Sequence, residues 1–199
     1  MTLKLIIIDN YDSFTYNLVQ LFAQQGSQTR VYRNDRITMR KLRLEPFDSL
    51  LISPGPMDPA HAGISLEALQ AYSRNTPILG VCLGMQCLNE NFGGSTQRAP
   101  APLHGKTSQV RHANRGILRG LSNPFSAARY HSLLTRPGIN SPLRIDAVSE
   151  DGVIMALTHP SLPLFGIQFH PESFLTPEGA CIARSFLQMV QNHREARNA

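Results

Sequence analysis

Pro77-Ile78-Leu79-Gly80-Val81-Cys82-Leu83-Gly84-Met85-Gln86 runs from a short apolar stretch into a segment that must coil. Pro77 to Cys82 is too short for a helix and reads as a buried strand, and Leu83 to about Asn91 follows as a helix. Working upstream, Leu3 to Asp9 is another buried strand, after which Phe14, Leu18, Leu21 and Phe22 recur at helical spacing until Gly26. Ser49 to Ser53 is the second apolar strand, followed by a Pro/Gly loop and a helix over about 64–74. Strands alternating with helices predict an α/β fold with a mostly parallel central sheet and helices on both faces. Downstream the pattern changes. Residues 95–170 give short segments such as Arg144 to Val148, Val153 to Thr158 and Leu164 to Phe169, spaced by turns, which predicts a small antiparallel portion or edge strands. Thr176-Pro177-Glu178 has the form of an N-cap with proline at the first helical position, opening a last helix that buries Ile182, Phe186, Leu187 and Val190.

The 199 residues, 42% hydrophobic and 17% charged, suit one domain over 1–199 with a core that needs no staple. Cys82, Cys87 and Cys181 form no Cys-x-x-Cys pair, so neither a disulfide framework nor a zinc site is expected, nor any cofactor. Cys87 and Cys181 read as core residues. The apolar start ends at Asp9 and no run reaches eighteen residues, so neither secretion nor a membrane span is expected and the cytoplasm is the simplest location. The formal charge of +5 is uneven: Asn91 to Ile145 carries eight of the 19 basic residues and no acid, leaving 11 basic against all 14 acidic residues elsewhere. That segment lacks interleaved aromatics or a reader motif, so a partner-docking or solvated face fits it better than nucleic acid.

Gly80-Val81-Cys82-Leu83-Gly84 is the pattern of a strand-to-helix elbow with cysteine as nucleophile. Side chains at the two glycines would collide with the neighbouring strand and helix, and a helix N-terminus under the sulfur favours thiolate and offers free N–H groups to an oxyanion. The bland alternative is a buried cysteine at a strand end. A thiol nucleophile needs a base, and among the seven histidines His170 stands out, because Phe169-His170-Pro171-Glu172 follows an apolar strand and supplies a carboxylate two residues later. His61, His104, His112, His131, His159 and His193 read as loop or helix-end residues without such company.

Seven blocks in order then resemble one family, the class I (triad) glutamine amidotransferases, and within it the glutaminase subunits of anthranilate and aminodeoxychorismate synthases. They are Asp9-Asn10-Tyr11-Asp12-Ser13-Phe14-Thr15-Tyr16-Asn17 after the first strand, Tyr32-Arg33-Asn34-Asp35 after the second, Ser53-Pro54-Gly55-Pro56, the elbow through Gln86, His104-Gly105-Lys106-Thr107-Ser108, Tyr130-His131-Ser132-Leu133, and Gln168-Phe169-His170-Pro171-Glu172-Ser173. The resemblance implies a flavodoxin-like sheet and a Cys82, His170, Glu172 triad attacking L-glutamine. It also implies an oxyanion hole at Gly55 and Leu83, and substrate contacts at Gly55, Pro56, Met57, Gln86, Ser132 and Leu133. Ammonia would pass to a chorismate-binding synthase subunit, component I, in a heterodimer or larger heteromer, and the basic segment would steer docking to it. The competing readings are a stand-alone γ-glutamyl cysteine hydrolase and a silent regulatory subunit. Two positions depart from the family pattern. Met57-Asp58-Pro59 stands where Gly and Thr or Ser are common, so a positive φ at 57 would cost about 1–2 kcal/mol. Met85 stands where this branch often has His.

Overall fold

The computed structural model describes residues 2–198. One nine-stranded sheet runs β2-β1-β3-β4-β9-β8-β7-β5-β6. Its parallel part consists of β1 (Lys4–Asp9), β2 (Gln28–Arg33), β3 (Ser49–Ile52), β4 (Ile78–Val81) and β9 (Leu164–Ile167). Successive side chains of a strand point to opposite faces, so an unbroken apolar run needs cover on both. Leu5 and Ile7 enter one core with Leu18 and Phe22 of α1 (Thr15–Gln24) and Phe186 of α5 (Gly179–Asn198). Ile6 and Ile8 enter the other with Leu42 of α2 (Met39–Leu42), Leu69 of α3 (Ser65–Tyr72) and Leu88 of α4 (Leu83–Asn91).

The α/β sheet expected from the alternation is present, with three differences in detail. First, β2 precedes Ser49–Ile52, so the second apolar run is the third strand. β2 is an edge strand of sequence QTRVYR, half-exposed along its length, and its backbone pairing to β1, from Lys4↔Gln28 to Asp9↔Arg33, holds it without an apolar run. Second, β9 is an interior strand, parallel to β4 with Gly80 opposite Gly166 and antiparallel to β8 (Ile154–Thr158). Third, residues 95–136 form a long ribbon of β5 (Ser95–His112) and β6 (Phe125–Arg136), not short segments. Pro100 and Pro102 disguise it, since proline lacks the ladder donor. The ribbon continues the same sheet through β7 (Arg144–Ser149).

The last helix buries Ile182, Phe186, Leu187 and Val190 as expected, but Thr176 does not cap it. Its hydroxyl donates to the His170 carbonyl at 2.7 Å and accepts from the Ala128 N–H at 2.9 Å, while the Ile182 N–H turns back to the Glu178 carbonyl. Cys87 is buried, and its burial raises the thiol pKa. Cys181 is exposed, because it lies on the outer side of α5, away from Ile182 and Phe186. Among the described residues no helix is long and apolar enough to cross a membrane.

Candidate active site

The elbow is where the sheet delivers a buried thiol to the wall of a cavity. Cys82 has φ 52° and ψ −103°, a conformation that a non-glycine residue adopts only under constraint from its surroundings. The constraint is visible on both sides. A Cβ on Gly80 would stand 2.3 Å from the Gly84 carbonyl oxygen, and one on Gly84 would stand 2.2 Å from that of Ile52. Strand and helix can therefore approach closely only with glycine at both positions. The Cys82 N–H bonds the Ile167 carbonyl of β9 at 2.8 Å, and the Cys82 carbonyl accepts the Gln86 N–H at 3.1 Å, which starts the ladder of α4. The Leu83 N–H belongs to the first helical turn, whose amides have no partner within the helix.

Cys82 opens into a cavity of about 750 Å³. Gly55, Pro56, Met57, Gln86, Ser132 and Leu133, the six substrate positions taken from the sequence, all line it, with Tyr130, His131 and Arg98 beside them. The Gly55 loop is held from below by a buried polar cluster. Asn10 donates from its backbone to Ser53 Oγ at 2.8 Å and from Nδ2 to the Ser53 carbonyl at 3.0 Å, while its Oδ1 accepts from Asn34 Nδ2 and Ser65 Oγ, each at 2.9 Å. A Cβ on Gly55 would meet Asn10 at 2.5 Å, so the loop lies directly on that cluster. The motif residues Asn10, Asn34 and Ser53 thus shape the loop from beneath. Ser65 completes the cluster without a signal in the sequence, where it is an ordinary helix-start serine. Met57 has φ 65° and is 62% exposed at the cavity rim, so the left-handed strain expected of a methionine there is present.

His170 follows β9 by three residues and is tied down at both ends of its peptide unit. Its N–H bonds the Ala128 carbonyl at 3.1 Å and its carbonyl accepts Thr176 Oγ1. The ring is buried between aromatic side chains, with centroids 6.0 Å from Phe14 and 5.1 Å from Tyr130. Phe14 is brought there by the turn after β1, where Asp9 Oδ1 accepts from the Tyr11 N–H and from Thr15 Oγ1 at 2.9 and 2.8 Å. His170 Nδ1 donates to Glu172 Oε1 at 2.6 Å, and the Glu172 side chain is fully buried. This leaves Nε2 for the thiol. Burial opposes protonation of His170, but its interactions with Cys82 and then Glu172 outweigh burial and hold its pKa well above the ordinary imidazole value. Gln168, which the sequence offers only as part of a motif, donates from Nε2 to Cys82 Sγ at 3.4 Å and accepts from Gln86 Nε2 at 3.3 Å.

The other histidines divide. His61 pairs with Asp58 at an exposed turn, and His159 and His193 are peripheral. The side chain of His104 lies outside the described residues. His112 and His131 are not loop residues: both are buried on strands, His112 bonded to the Ser122 carbonyl and His131 lining the cavity. Burial, followed by the nearby Arg129 charge, lowers the pKa of His131 to about 4. Of the eight basic residues in the acid-free segment, Arg129 is 1% exposed and paired with Asp151, and Arg115 is paired with Asp146. Among the described residues no cluster of side chains could hold a metal ion.

A strained cysteine on a strand-to-helix turn, beside a buried histidine held by a carboxylate, is an arrangement that can activate a thiol for attack on a carbonyl carbon. The family model of glutamine amidotransferase class-I matches residues 6–190, and the chain belongs to that family. Within it, the chain is 46% identical over 185 residues to the aminodeoxychorismate/anthranilate synthase component 2 of Bacillus subtilis, covering 92% of this chain and 95% of that protein. It is also 46% identical over 189 residues to the anthranilate synthase component 2 of Azospirillum brasilense, covering 94% and 96%. The crystal structure of a putative GMP synthase component from Thermoplasma acidophilum superposes with a TM-score of 0.88 at 26% identity, over 100% of this chain and 99% of that one.

Proposed function

We infer that the chain, acting as one glutamine amidotransferase domain over 1–199, hydrolyses L-glutamine and supplies the ammonia to a chorismate-binding synthase subunit. The observation that carries this reading is that Cys82 opens into the cavity lined by all six substrate positions, while its sulfur interacts with His170, which is held in turn by Glu172. Cys82 Sγ, its proton transferred to His170 Nε2, attacks the side-chain amide carbon of glutamine. The N–H groups of Leu83 and Gly55 hold the oxyanion. Collapse breaks the C–N bond, His170 delivers its proton to the departing ammonia, and a γ-glutamyl thioester remains. His170 then takes a proton from water, which attacks the thioester and releases glutamate and the thiol. Glu172 keeps the imidazole in the tautomer that leaves Nε2 free and stabilises the imidazolium. Met57 sits at the rim and Gln86, Ser132 and Leu133 hold the substrate's polar groups.

The similarity to component 2 proteins supports a heteromeric partner of the component I type, making anthranilate or 4-amino-4-deoxychorismate, in the cytoplasm. Ammonia must be shielded on the way, since in bulk water at neutral pH it is protonated and no longer a nucleophile. With Arg129 sequestered and Arg115 paired, the exposed Arg98, Lys106, Arg111, Arg119, Arg136 and Arg144 remain to meet an acidic face of the partner. Association measured by stopped flow should then slow with added salt. The deciding experiment measures glutamate release by the purified chain alone, with a chorismate-binding subunit, and with Cys82→Ser, while identifying the aromatic product. Release that requires Cys82 supports the reading, and no release in any combination overturns it.

A further inference from the structure

The part of the cavity wall built on β6 contains a buried arginine that the chemistry above does not use. Arg129 donates from Nη1 to both carboxylate oxygens of Asp151 at 2.9 Å and to Ser108 Oγ at 3.0 Å, and from Nε to Nε2 of His131 at 3.1 Å. His131 Nδ1 in turn lies 2.8 Å from the carbonyl oxygen of Leu133. The protonation state of the ring follows from its partners. A guanidinium can only donate and a carbonyl oxygen can only accept. Nε2 of His131 is therefore the unprotonated acceptor, and Nδ1 carries the proton that Leu133 receives. The ring is neutral, both nitrogens are engaged, and His131 cannot act as a second base although it borders the cavity.

The backbone that His131 grips needs such a hold. Leu133 pairs with Arg98 of β5, but His131 pairs with Leu103, so the register shifts across Ser132 and a regular ladder cannot set the conformation there. We propose that Arg129 and His131 are positioning residues: Arg129 locks His131 in its Nδ1–H tautomer, and His131 clamps the Leu133 carbonyl, fixing the Ser132–Leu133 wall against which glutamine binds. The lock is anchored far from the elbow. Asp151 lies in the turn between β7 and β8, 46% exposed at its side chain, and Ser108 lies on β5. This inference rests on the reading of Ser132 and Leu133 as substrate contacts.

The test has a spectroscopic and a kinetic arm. In the full chain with ring-¹⁵N-labelled histidine, His131 should show its proton on Nδ1 at neutral pH, and Arg129→Met should release it to exchange between tautomers. Arg129→Met removes one partner of the pair only, but the Asp151 carboxylate left behind is 46% exposed at its side chain and is hydrated rather than stranded in the core. Assayed with the synthase subunit, Arg129→Met and His131→Leu should raise the KM for glutamine about tenfold while kcat stays within about threefold, as expected when a binding hydrogen bond is lost and the chemistry is not. His131→Asn, whose side-chain amide can still donate to Leu133, should restore KM to within about threefold of the original. A proton on Nε2, or an unchanged KM in both Arg129→Met and His131→Leu, overturns the lock. Absence of glutamate release from the unmodified chain with its synthase subunit overturns instead the reading on which the lock rests.

Discussion

The two sides of the sheet furnish the cavity by different physical means. On the parallel side, the thiol is placed by backbone, through a strand end, a helix start and two glycines at which an added Cβ would stand 2.3 and 2.2 Å from a carbonyl oxygen, while the Gly55 loop rests on the Asn10 cluster. On the antiparallel side, β6 contributes a wall whose register is irregular, and side chains hold it: Thr176 stitches β6 to His170, and Arg129 and His131 grip Leu133. Backbone placement is all-or-none, because a clash with a carbonyl has no soft alternative. Side-chain placement is graded, because each hydrogen bond contributes about 1 kcal/mol net and can be lost singly.

The largest expected effect breaks the backbone side. Gly80→Ala should separate β4 from α4, and Gly84→Ala should separate α4 from β3, each costing more than about 3 kcal/mol, which removes a large fraction of a typical domain's stability. Urea unfolding should show a midpoint far below that of the unaltered chain or no folded protein at all. A next, smaller effect lies at the junction of the two sides. Glu172→Gln keeps the size of the side chain but removes the charge facing His170, and should lower kcat by about 10²-fold or more. It should also change the pH dependence of stability. The His170 pKa is raised in the folded protein, so its contribution is fully present below the unfolded value of about 6.5 and is lost as pH rises through the folded value. Urea unfolding at a series of pH values should show that decline in the unaltered chain and a weaker one in Glu172→Gln.

The smallest effect concerns the rim. Met57→Gly removes a non-glycine residue at φ 65°. Relief of about 1–2 kcal/mol, reduced by the greater freedom of an unfolded glycine, should leave a gain of roughly 0.5–1 kcal/mol in denaturant unfolding. A KM for glutamine that falls in the same variant would show that the methionine also crowds the approach.

The same division decides what the sequence makes legible. The elbow is readable because two glycines around a cysteine at a strand end are a backbone requirement, written in residue type and spacing. His170 and Glu172 are readable because the pair is two residues apart in the chain. The ribbon is not, since β5 is half-polar, carries Pro100 and Pro102, and is held by pairing with β6 rather than by an apolar face. Arg129 counts in the sequence as part of a basic surface, because a sequence shows its charge but not Asp151 and Ser108 closing over it from other parts of the sheet. Thr176 reads as a helix cap, since threonine before proline has that form, yet its hydroxyl is drawn to the His170 carbonyl across 6 residues. Cys181 is misjudged as core for a simpler reason: at a helical spacing of 3.6, residues beside Ile182 need not share its face.

The central claim is that Cys82 is the residue that becomes acylated. Rapid acid quench of the chain turning over glutamine in the presence of its synthase subunit, followed by peptide mass analysis, should find a glutamyl adduct on the peptide containing Cys82, absent from Cys82→Ser. An adduct on any other residue, or glutamate release by Cys82→Ser at the rate of the unaltered chain, would contradict the account.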